Sequence, residues 1–209
     1  MTKTIKIGFD LDGVLARHYL DRFWFKVRRN KERRLAIKSR RQYFYPEKWF
    51  EKFFLTIINR IRKISSLDQE EIKALAGRED IEVYLVTARF GFLQNLTLDW
   101  LEKNNLIGCF SQVFINKENE DPTRFKASVI NDQRLNIFID DDLEVLEKLS
   151  SQTKTKLFWL VPNWRKVEEN GHRGIVAVNS LKEVFDKATL GGPFDIGKKA
   201  YPSPKLRSD

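Results

Sequence analysis

The strongest constraint on the fold is the alternation along the chain of short apolar segments with helical patterns. TIKIGF at residues 4–9, IEVYLV at 81–86 and NIFI at 136–139 are apolar enough to be buried strands, and helical patterns separate them. Each segment ends directly before polar residues. This alternation predicts an α/β fold with a central parallel sheet, in which ligands bind at the carboxyl ends of the strands.

The positive charge is concentrated in one part of the sequence. The 209 residues have a net charge of +9, and residues 17–75 alone carry 17 basic and 7 acidic side chains, a net charge of +10. The other residues carry 21 basic and 22 acidic side chains, a net charge of −1. We therefore predict an α/β core over 1–16 and 76–188, a basic helical cap over 17–75 and a mobile tail over 189–209.

The basic segment contains two helical patterns. An Arg-rich pattern covers 19–42, and apolar residues from Trp49 to Ile64 recur every three or four positions, which predicts a second helix after Pro46. The basic stretch from Arg22 to Arg41 is consistent with a solvated helix face, with steering of polyanions such as nucleic-acid ends, or with contact to an anionic membrane surface. The sequence leaves these three interpretations open.

The residue inventory limits the metal chemistry. One cysteine, Cys109, and two histidines are too few for a zinc site, so a metal would need oxygen ligands, and Mg²⁺ is the usual candidate. The sequence lacks a run of eighteen uncharged apolar residues, which argues against a transmembrane helix. Asp10 and Asp12 interrupt the apolar stretch that a signal peptide needs, so we expect a cytoplasmic protein with a reduced cysteine.

Carboxylates follow two of the predicted strands. The strand ends carry Asp10 and Asp12, Thr87, and then Asp140, Asp141 and Asp142, with Lys126 on the helix before the last of these strands. Clustered carboxylates repel one another and lose water, so folds keep them together with a compensating cation. Mg²⁺ and the Lys126 ammonium would supply that charge and would also accept a phosphate.

Four short segments carry a family resemblance. FDLDGV at 9–14, YLVTAR at 84–89, FK at 125–126 and FIDDD at 138–142 resemble the signature motifs of the haloacid dehalogenase superfamily of phosphohydrolases. The resemblance covers residues 4 to 187 and implies a Rossmann-like core with a central parallel sheet. It also implies an optional cap inserted after the first motif, which is where the basic segment lies.

The resemblance implies a role for each motif residue. Asp10 would be the nucleophile that forms an aspartyl-phosphate, and Asp12 the general acid and base. Thr87 would hydrogen-bond the transferring phosphoryl group, and Lys126 would neutralise its charge. Mg²⁺ would be held by Asp10, the backbone carbonyl of Asp12 and Asp141, with Asp140 as the supporting neighbour. Asp142 is better explained as the N-cap of the next helix.

The substrate is indicated less specifically. The acid at position 12 fits a phosphatase, since dehalogenases of this superfamily lack it. The sequence is similar to the 5′-nucleotidase branch that includes the deoxyribonucleotidases, which implies a small phosphorylated substrate such as a nucleotide. Candidate substrate contacts are Arg89, Ala88, Arg17 and the cap aromatics Phe23, Trp24, Tyr43 and Phe44. The alternative is a non-catalytic or nucleic-acid-binding protein, or a polynucleotide-end phosphatase, that uses the basic segment as its interface.

Overall fold

The computed structural model describes residues 4–17, 45–161 and 174–189. Several predictions concern residues outside these ranges, namely the helix over 19–42, the basic run from Arg22 to Arg41, the aromatics Phe23, Trp24, Tyr43 and Phe44, and residues 190–209 of the tail. Within the described ranges, none of the helices is both long and apolar enough to cross a membrane.

The predicted parallel sheet is confirmed. In the described part of the chain its strands are β1 (Ile5–Phe9), β2 (Ile81–Phe90), β3 (Gln112–Asn116), β4 (Ile137–Asp140), β5 (Lys156–Leu160) and β6 (Ile175–Val178). They pair in parallel in the order β3-β2-β1-β4-β5-β6. Connections between β1, β2 and β3 run outwards on one side of β1, and those between β4, β5 and β6 on the other. The order therefore reverses between β1 and β4, which is where this type of sheet binds ligands.

Helices cover the sheet. Over the described residues they are α1 (Trp49–Arg60), α2 (Ser66–Ala76), α3 (Gln94–Lys103), α4 (Pro122–Gln133), α5 (Leu143–Ser150) and α6 (Leu181–Thr189). Helix α4 begins at Pro122, whose ring suits the first position of a helix, and the Asp121 carboxylate caps it by accepting from the backbone of Thr123 and Arg124. Asp142 is the predicted N-cap of α5, since its carboxylate accepts from Glu144 N at 3.1 Å. These caps fix where the helices after β3 and β4 begin.

Side chains from both faces of the sheet form the core. On one face Phe9 is completely buried together with Ile72 of α2 and Leu181 of α6. On the other face Phe138 is completely buried in a cluster with Ile130 of α4. Burying a side chain of this size contributes about 1.5–3 kcal/mol to folding, so the sheet that supports the strand ends is firmly held.

Helix α2 belongs to this core although its residues lie within the predicted cap. Ile72 and Leu75 of α2 are buried in the main hydrophobic cluster, and Gly77 follows the helix and donates to Lys73 O at 3.0 Å. The cap boundary at residue 75 stays a prediction, and the packing of α2 on the core argues for an earlier one. Helix α2 carries three acidic side chains and one basic one, so its charge differs from that of the preceding basic segment, and its packing shows that it covers the sheet.

Helix α1 is shorter and more exposed than its apolar spacing suggested. It ends at Arg60, and Trp49 at its start is 77% exposed. Further exposed apolar residues of this region are Phe50, Phe53, Phe54, Ile57 and Ile61. Of the residues of α1, all of which the structure describes, Asn59 alone is buried. The apolar face of α1 therefore points away from the core.

Candidate active site

The register between β1 and β4 brings the first and last motifs together. Phe9 pairs with Ile139, and the backbone N–H of Asp10 donates to Ile139 O at 2.9 Å. Asp10 therefore lies level with Asp140 at the carboxyl ends of adjacent strands. The neighbouring strand β2 pairs with β1 in register up to Phe9 and Leu85, so Thr87 lies just beyond the same edge. Residues far apart in the sequence are thus brought to one edge of the sheet.

Three carboxylates form a compact group there, which we call the acidic cluster (Asp10, Asp140 and Asp141). One oxygen from each lies within 4.8 Å of the others. The ammonium group of Lys126 lies 3.2 Å from Asp10 Oδ1 and 2.7 Å from Asp140 Oδ2. All of these contacts are buried, since Asp10, Asp140 and Lys126 are each at most 5% exposed. A single ammonium therefore faces three carboxylates, and the cluster carries excess negative charge when fully ionised.

Proton affinity in the cluster follows from that imbalance. Burial raises the pKa of Asp10 to about 7. The charge of Lys126 works to lower this pKa, and the charge of Asp140 raises it further. Burial also raises the pKa of Asp141 well above its ordinary range, and the neighbouring Asp140 and Asp10 raise it further. Burial would lower the pKa of Lys126, but Asp10 and Asp140 outweigh it, so the pKa of Lys126 is raised and the side chain is an ammonium ion. The cluster therefore holds protons unless another cation replaces them.

The donor set fits a hard divalent cation. Carboxylate oxygens are the ligands of Mg²⁺, and the spacing within 4.8 Å allows three of them to reach one ion. Both oxygens of Asp140 already accept hydrogen bonds, from Lys126 Nζ and from Asp142 N. Within the described ranges, hydrogen bonds to the Asp141 carboxylate are absent. This difference favours the predicted division in which Asp141 is the direct ligand and Asp140 the support.

Gly13 gives Asp141 the space it occupies. The residue has a φ of +83°, and a Cβ atom built there would lie 2.1 Å from Cγ of Asp141. A side chain at position 13 would therefore both strain the backbone and displace the carboxylate. The glycine of the first motif lets the chain turn beside the last motif.

Asp12 lies next to the cluster but has partners of its own. Arg89 makes a bidentate salt bridge with the Asp12 carboxylate, in which Nε donates to Oδ2 at 2.9 Å and Nη2 donates to Oδ1 at 2.6 Å. Arg62 Nε lies 3.3 Å from Oδ1. Burial would raise the pKa of Asp12, but Arg89 and then Arg62 outweigh it, and the pKa is lowered. Asp12 is thus a carboxylate in this arrangement.

The other predicted site residues fall into two groups. Thr87 is 1% exposed and lies on β2 three residues before the strand ends at Phe90. Its Oγ1 accepts from Arg89 N at 3.3 Å, and Ala88 beside it is half-buried. Arg17 instead pairs through its Nη2 with Asp68 Oδ2 at 3.2 Å, at the start of α2. The substrate contacts of Arg89, Ala88 and Arg17 stay predictions. The structure directs the guanidinium of Arg89 to Asp12 and that of Arg17 to Asp68.

The sequence analysis did not identify three residues that contact the site. Arg62 reaches Asp12, the Thr97 hydroxyl accepts from Arg89 Nη1 at 3.2 Å, and Trp159 Nε1 donates to Asp141 O at 3.1 Å. Arg62 is one of many basic residues in its segment, so nothing in the sequence distinguishes it. Trp159 lies on β5 beside β4, and its indole N–H, which needs a partner when buried, is the signal that the sequence offers for it.

Comparison with known proteins gives matches in structure. No protein-family model and no curated protein matches the sequence. A haloacid dehalogenase-like family hydrolase from Xanthomonas campestris is 14% identical, with 86% of this chain and 92% of that chain covered and a TM-score of 0.51. An L-2-haloacid dehalogenase is 11% identical, with 90% and 100% covered and a TM-score of 0.60. A haloacid dehalogenase-like hydrolase from Streptococcus pneumoniae is 14% identical, with 90% and 100% covered and a TM-score of 0.55.

The chain has the haloacid dehalogenase fold. The matches extend over nearly the whole of both chains, and they include hydrolases of the superfamily as well as dehalogenases. At identities this low, the structural matches establish the fold and nothing about activity. They do not distinguish the nucleotidase branch, which stays a prediction. In this chain the haloacid dehalogenase fold carries an acidic cluster at the carboxyl edge of the sheet.

Proposed function

We propose that the protein is a Mg²⁺-dependent phosphomonoester hydrolase that acts through an aspartyl-phosphate on Asp10. The observation that carries the proposal is the acidic cluster with Lys126 at 2.7 and 3.2 Å, at the edge where the sheet order reverses. An acid at position 12 supports a phosphatase over a dehalogenase, in line with the motif resemblance.

The residues divide the work of a two-step transfer. A carboxylate oxygen of Asp10 attacks phosphorus, and the bond from phosphorus to the leaving oxygen breaks. Asp12, a carboxylate in the unliganded arrangement, would take up a proton from solvent as substrate binds and give that proton to the leaving oxygen. Asp12 then takes a proton from water, which attacks the phosphorus and releases Asp10. Thr87 would hydrogen-bond the phosphoryl oxygens, and Lys126 would neutralise charge on Asp10 and on the phosphoryl group.

Mg²⁺ would be held by Asp10, Asp141 and the backbone carbonyl of Asp12, with Asp140 in support. When bound, it supplies positive charge for the phosphoryl oxygens and orients them for in-line attack. Uncatalysed hydrolysis of phosphomonoesters is very slow, so the enzyme has to supply a large acceleration. Positioning and charge neutralisation would supply most of it.

A nucleotide substrate is supported by aromatic side chains next to this edge. Phe90 directly follows Arg89 and stacks on Phe92 with ring centroids 5.7 Å apart, and Tyr45 packs edge-on against Phe90 at 5.3 Å. All three rings are half-buried, and Lys52 Nζ lies 5.2 Å from the Tyr45 ring. Half-buried rings beside a phosphate site are suited to stacking on a nucleobase.

The test is hydrolysis of p-nitrophenyl phosphate with and without Mg²⁺. We expect turnover that needs the ion and is abolished in Asp10→Asn, while Asp132→Asn, which neutralises an exposed acid on α4, keeps wild-type activity. A panel of nucleotides, phosphorylated metabolites and oligonucleotide ends would then rank substrates. Turnover retained by Asp10→Asn would refute the nucleophile, and no turnover at any pH would favour the non-catalytic alternative.

A second candidate function, nucleic-acid binding, is supported by helix α1. Trp49 and Phe53 are 77% and 59% exposed, and Lys48 and Lys52 lie among them. Exposed aromatics interleaved with basic residues suit single-stranded nucleic acid, through stacking and phosphate contacts. Binding of a single-stranded oligonucleotide should weaken steeply with salt and be lost in a Trp49→Ala, Phe53→Ala variant. Binding to anionic lipid vesicles but not to oligonucleotides would point to a membrane surface instead.

A further inference from the structure

Two guanidinium groups reach Asp12 from different parts of the fold. Arg89 lies on β2 in the core, whereas Arg62 lies between α1 and α2, in the segment inserted after the first motif. Arg89 engages both carboxylate oxygens of Asp12 and is held by Thr97 of α3. Arg62 adds a second positive charge at 3.3 Å from Oδ1. The carboxylate of Asp12 is therefore held between the core and the inserted segment.

Arg62 is itself fixed at both its backbone and its side chain. Its carbonyl accepts from Trp100 Nε1 of α3 at 2.9 Å, and its Nη1 donates to Ala16 O at 3.1 Å. The next residue, Lys63, pairs with Arg17 through two backbone hydrogen bonds of 2.8 and 2.9 Å. The two ends of the inserted segment are thus joined directly beside Arg62.

The loop that Arg62 contacts carries the first motif. Residues 11–16 form a tight turn in which Gly13 N donates to Ala16 O at 3.0 Å and Ala16 N donates to Leu11 O at 2.7 Å. Arg62 reaches this turn twice, at the Asp12 side chain near its start and at the Ala16 carbonyl at its end. It therefore braces the loop against the inserted segment.

The Nε atom of Arg62 makes no hydrogen bond to the described residues. Arg62 Nε is buried and lacks a hydrogen-bond partner within the described part of the chain, so its contact with Asp12 is an ion pair. A buried donor that makes no hydrogen bond costs about 1–3 kcal/mol, and the charge of the Asp12 carboxylate offsets part of that cost here. The position of Arg62 Nε is therefore explained by its attraction to Asp12.

We propose that Arg62 is a positioning residue that holds Asp12 and the 11–16 loop in place from the side of the inserted segment. This inference rests on the proposed function for the role of Asp12 in proton transfer. Because the side chain belongs to the inserted segment and its target to the core, a displacement of that segment at the Arg17–Lys63 junction moves Arg62 relative to Asp12. Arg62 thus links the position of the segment to the geometry of the site.

The experiment compares Arg62→Met and Arg62→Lys with Arg60→Met, an exposed arginine two residues earlier that serves as the matched control. With Mg²⁺ and p-nitrophenyl phosphate, Arg62→Met should lower kcat about tenfold to a hundredfold and change KM by less than about threefold, as for a lost hydrogen bond and ion pair that act in the transition state. Arg62→Lys keeps the charge but not the planar fork, so it should recover part of kcat. Arg60→Met should match the wild type.

Hydrogen exchange supplies a readout that does not need activity. Arg62→Met should increase exchange at the amides of Leu15 and Ala16, which both donate to Leu11 O, and Arg60→Met should not. An active wild type with an unchanged kcat in Arg62→Met would overturn the inference and leave the proposed function intact. An inactive wild type would refute the proposed function. Arg62 would then be judged by exchange alone: increased exchange supports its hold on the loop and unchanged exchange overturns it.

Discussion

Replacing Asp10 by Asn should stabilise the protein while abolishing its proposed activity. The pKa of Asp10 is raised to about 7 from 3.8, chiefly by burial. Each pKa unit corresponds to 1.36 kcal/mol, so ionising Asp10 in the folded chain costs about 4 kcal/mol more than in the unfolded chain. Asparagine has nearly the same shape and never ionises, so the variant avoids this cost.

The pH dependence of the difference follows from the raised pKa. Well below pH 3.8 both states keep the proton, and the wild type and the variant should be equally stable. As the pH rises towards 7, the folded wild type alone loses stability through this group, because its folded state holds the proton more tightly than its unfolded state. By pH 8, without divalent ions, Asp10→Asn should be more stable by about 4 kcal/mol.

Urea unfolding at pH 4, 6 and 8 in a chelator measures the difference directly. Asp132→Asn, an exposed carboxylate, is the control and should differ little from the wild type at any pH. Adding Mg²⁺ at pH 8 should stabilise the wild type by mass action and the variant much less. A variant that is less stable than the wild type at pH 8, or a difference that does not grow with pH, would refute the electrostatic argument.

Two further substitutions test the surroundings of the cluster. Gly13→Ala should destabilise the protein by about 1–3 kcal/mol in urea unfolding, because of its positive φ and the clash with Asp141, whereas Gly108→Ala, with nothing within 4 Å of an added Cβ, should change stability by less than about 0.5 kcal/mol. Equal effects of the two would contradict the role of Gly13. Lys126→Met should cost about 3–5 kcal/mol at pH 8, where ionised Asp10 loses its partner, and clearly less at pH 5. A pH-independent loss would show that packing, not charge, is what Lys126 supplies.

The strand ends could be predicted because buried strands appear in the sequence as short runs of apolar residues. Apolar runs identify the strands, and the residues that follow them are brought to one edge by the parallel arrangement alone. That reasoning predicts Asp10, Thr87 and Asp140 at one edge, and the strand register places all three there. The length of β2 was underestimated at Val86, since the strand continues to Phe90 by pairing with Asn116 across an irregular register.

Packing between distant segments could not be predicted in the same way. The partners of Asp12 depend on where two arginines lie in space, and arginines in a basic segment look alike in the sequence. The exposed face of α1 and the burial of Ile72 in α2 also depend on which helix covers the sheet, a choice that periodicity does not make. Local patterns therefore fix the edge of the site, and tertiary packing fixes its second layer of contacts.

Calorimetric titration of Mg²⁺ at pH 8 is the most direct measurement of the acidic cluster as a cation site. The wild type should bind one ion and release protons on binding, chiefly from Asp141, whose pKa is raised well above its ordinary range, whereas Asp10 with a pKa of about 7 is already mostly ionised at pH 8. Asp141→Asn should lose that binding, and Asp132→Asn should keep it. Unchanged Mg²⁺ binding in Asp141→Asn, or no binding by the wild type at millimolar Mg²⁺, would contradict the account.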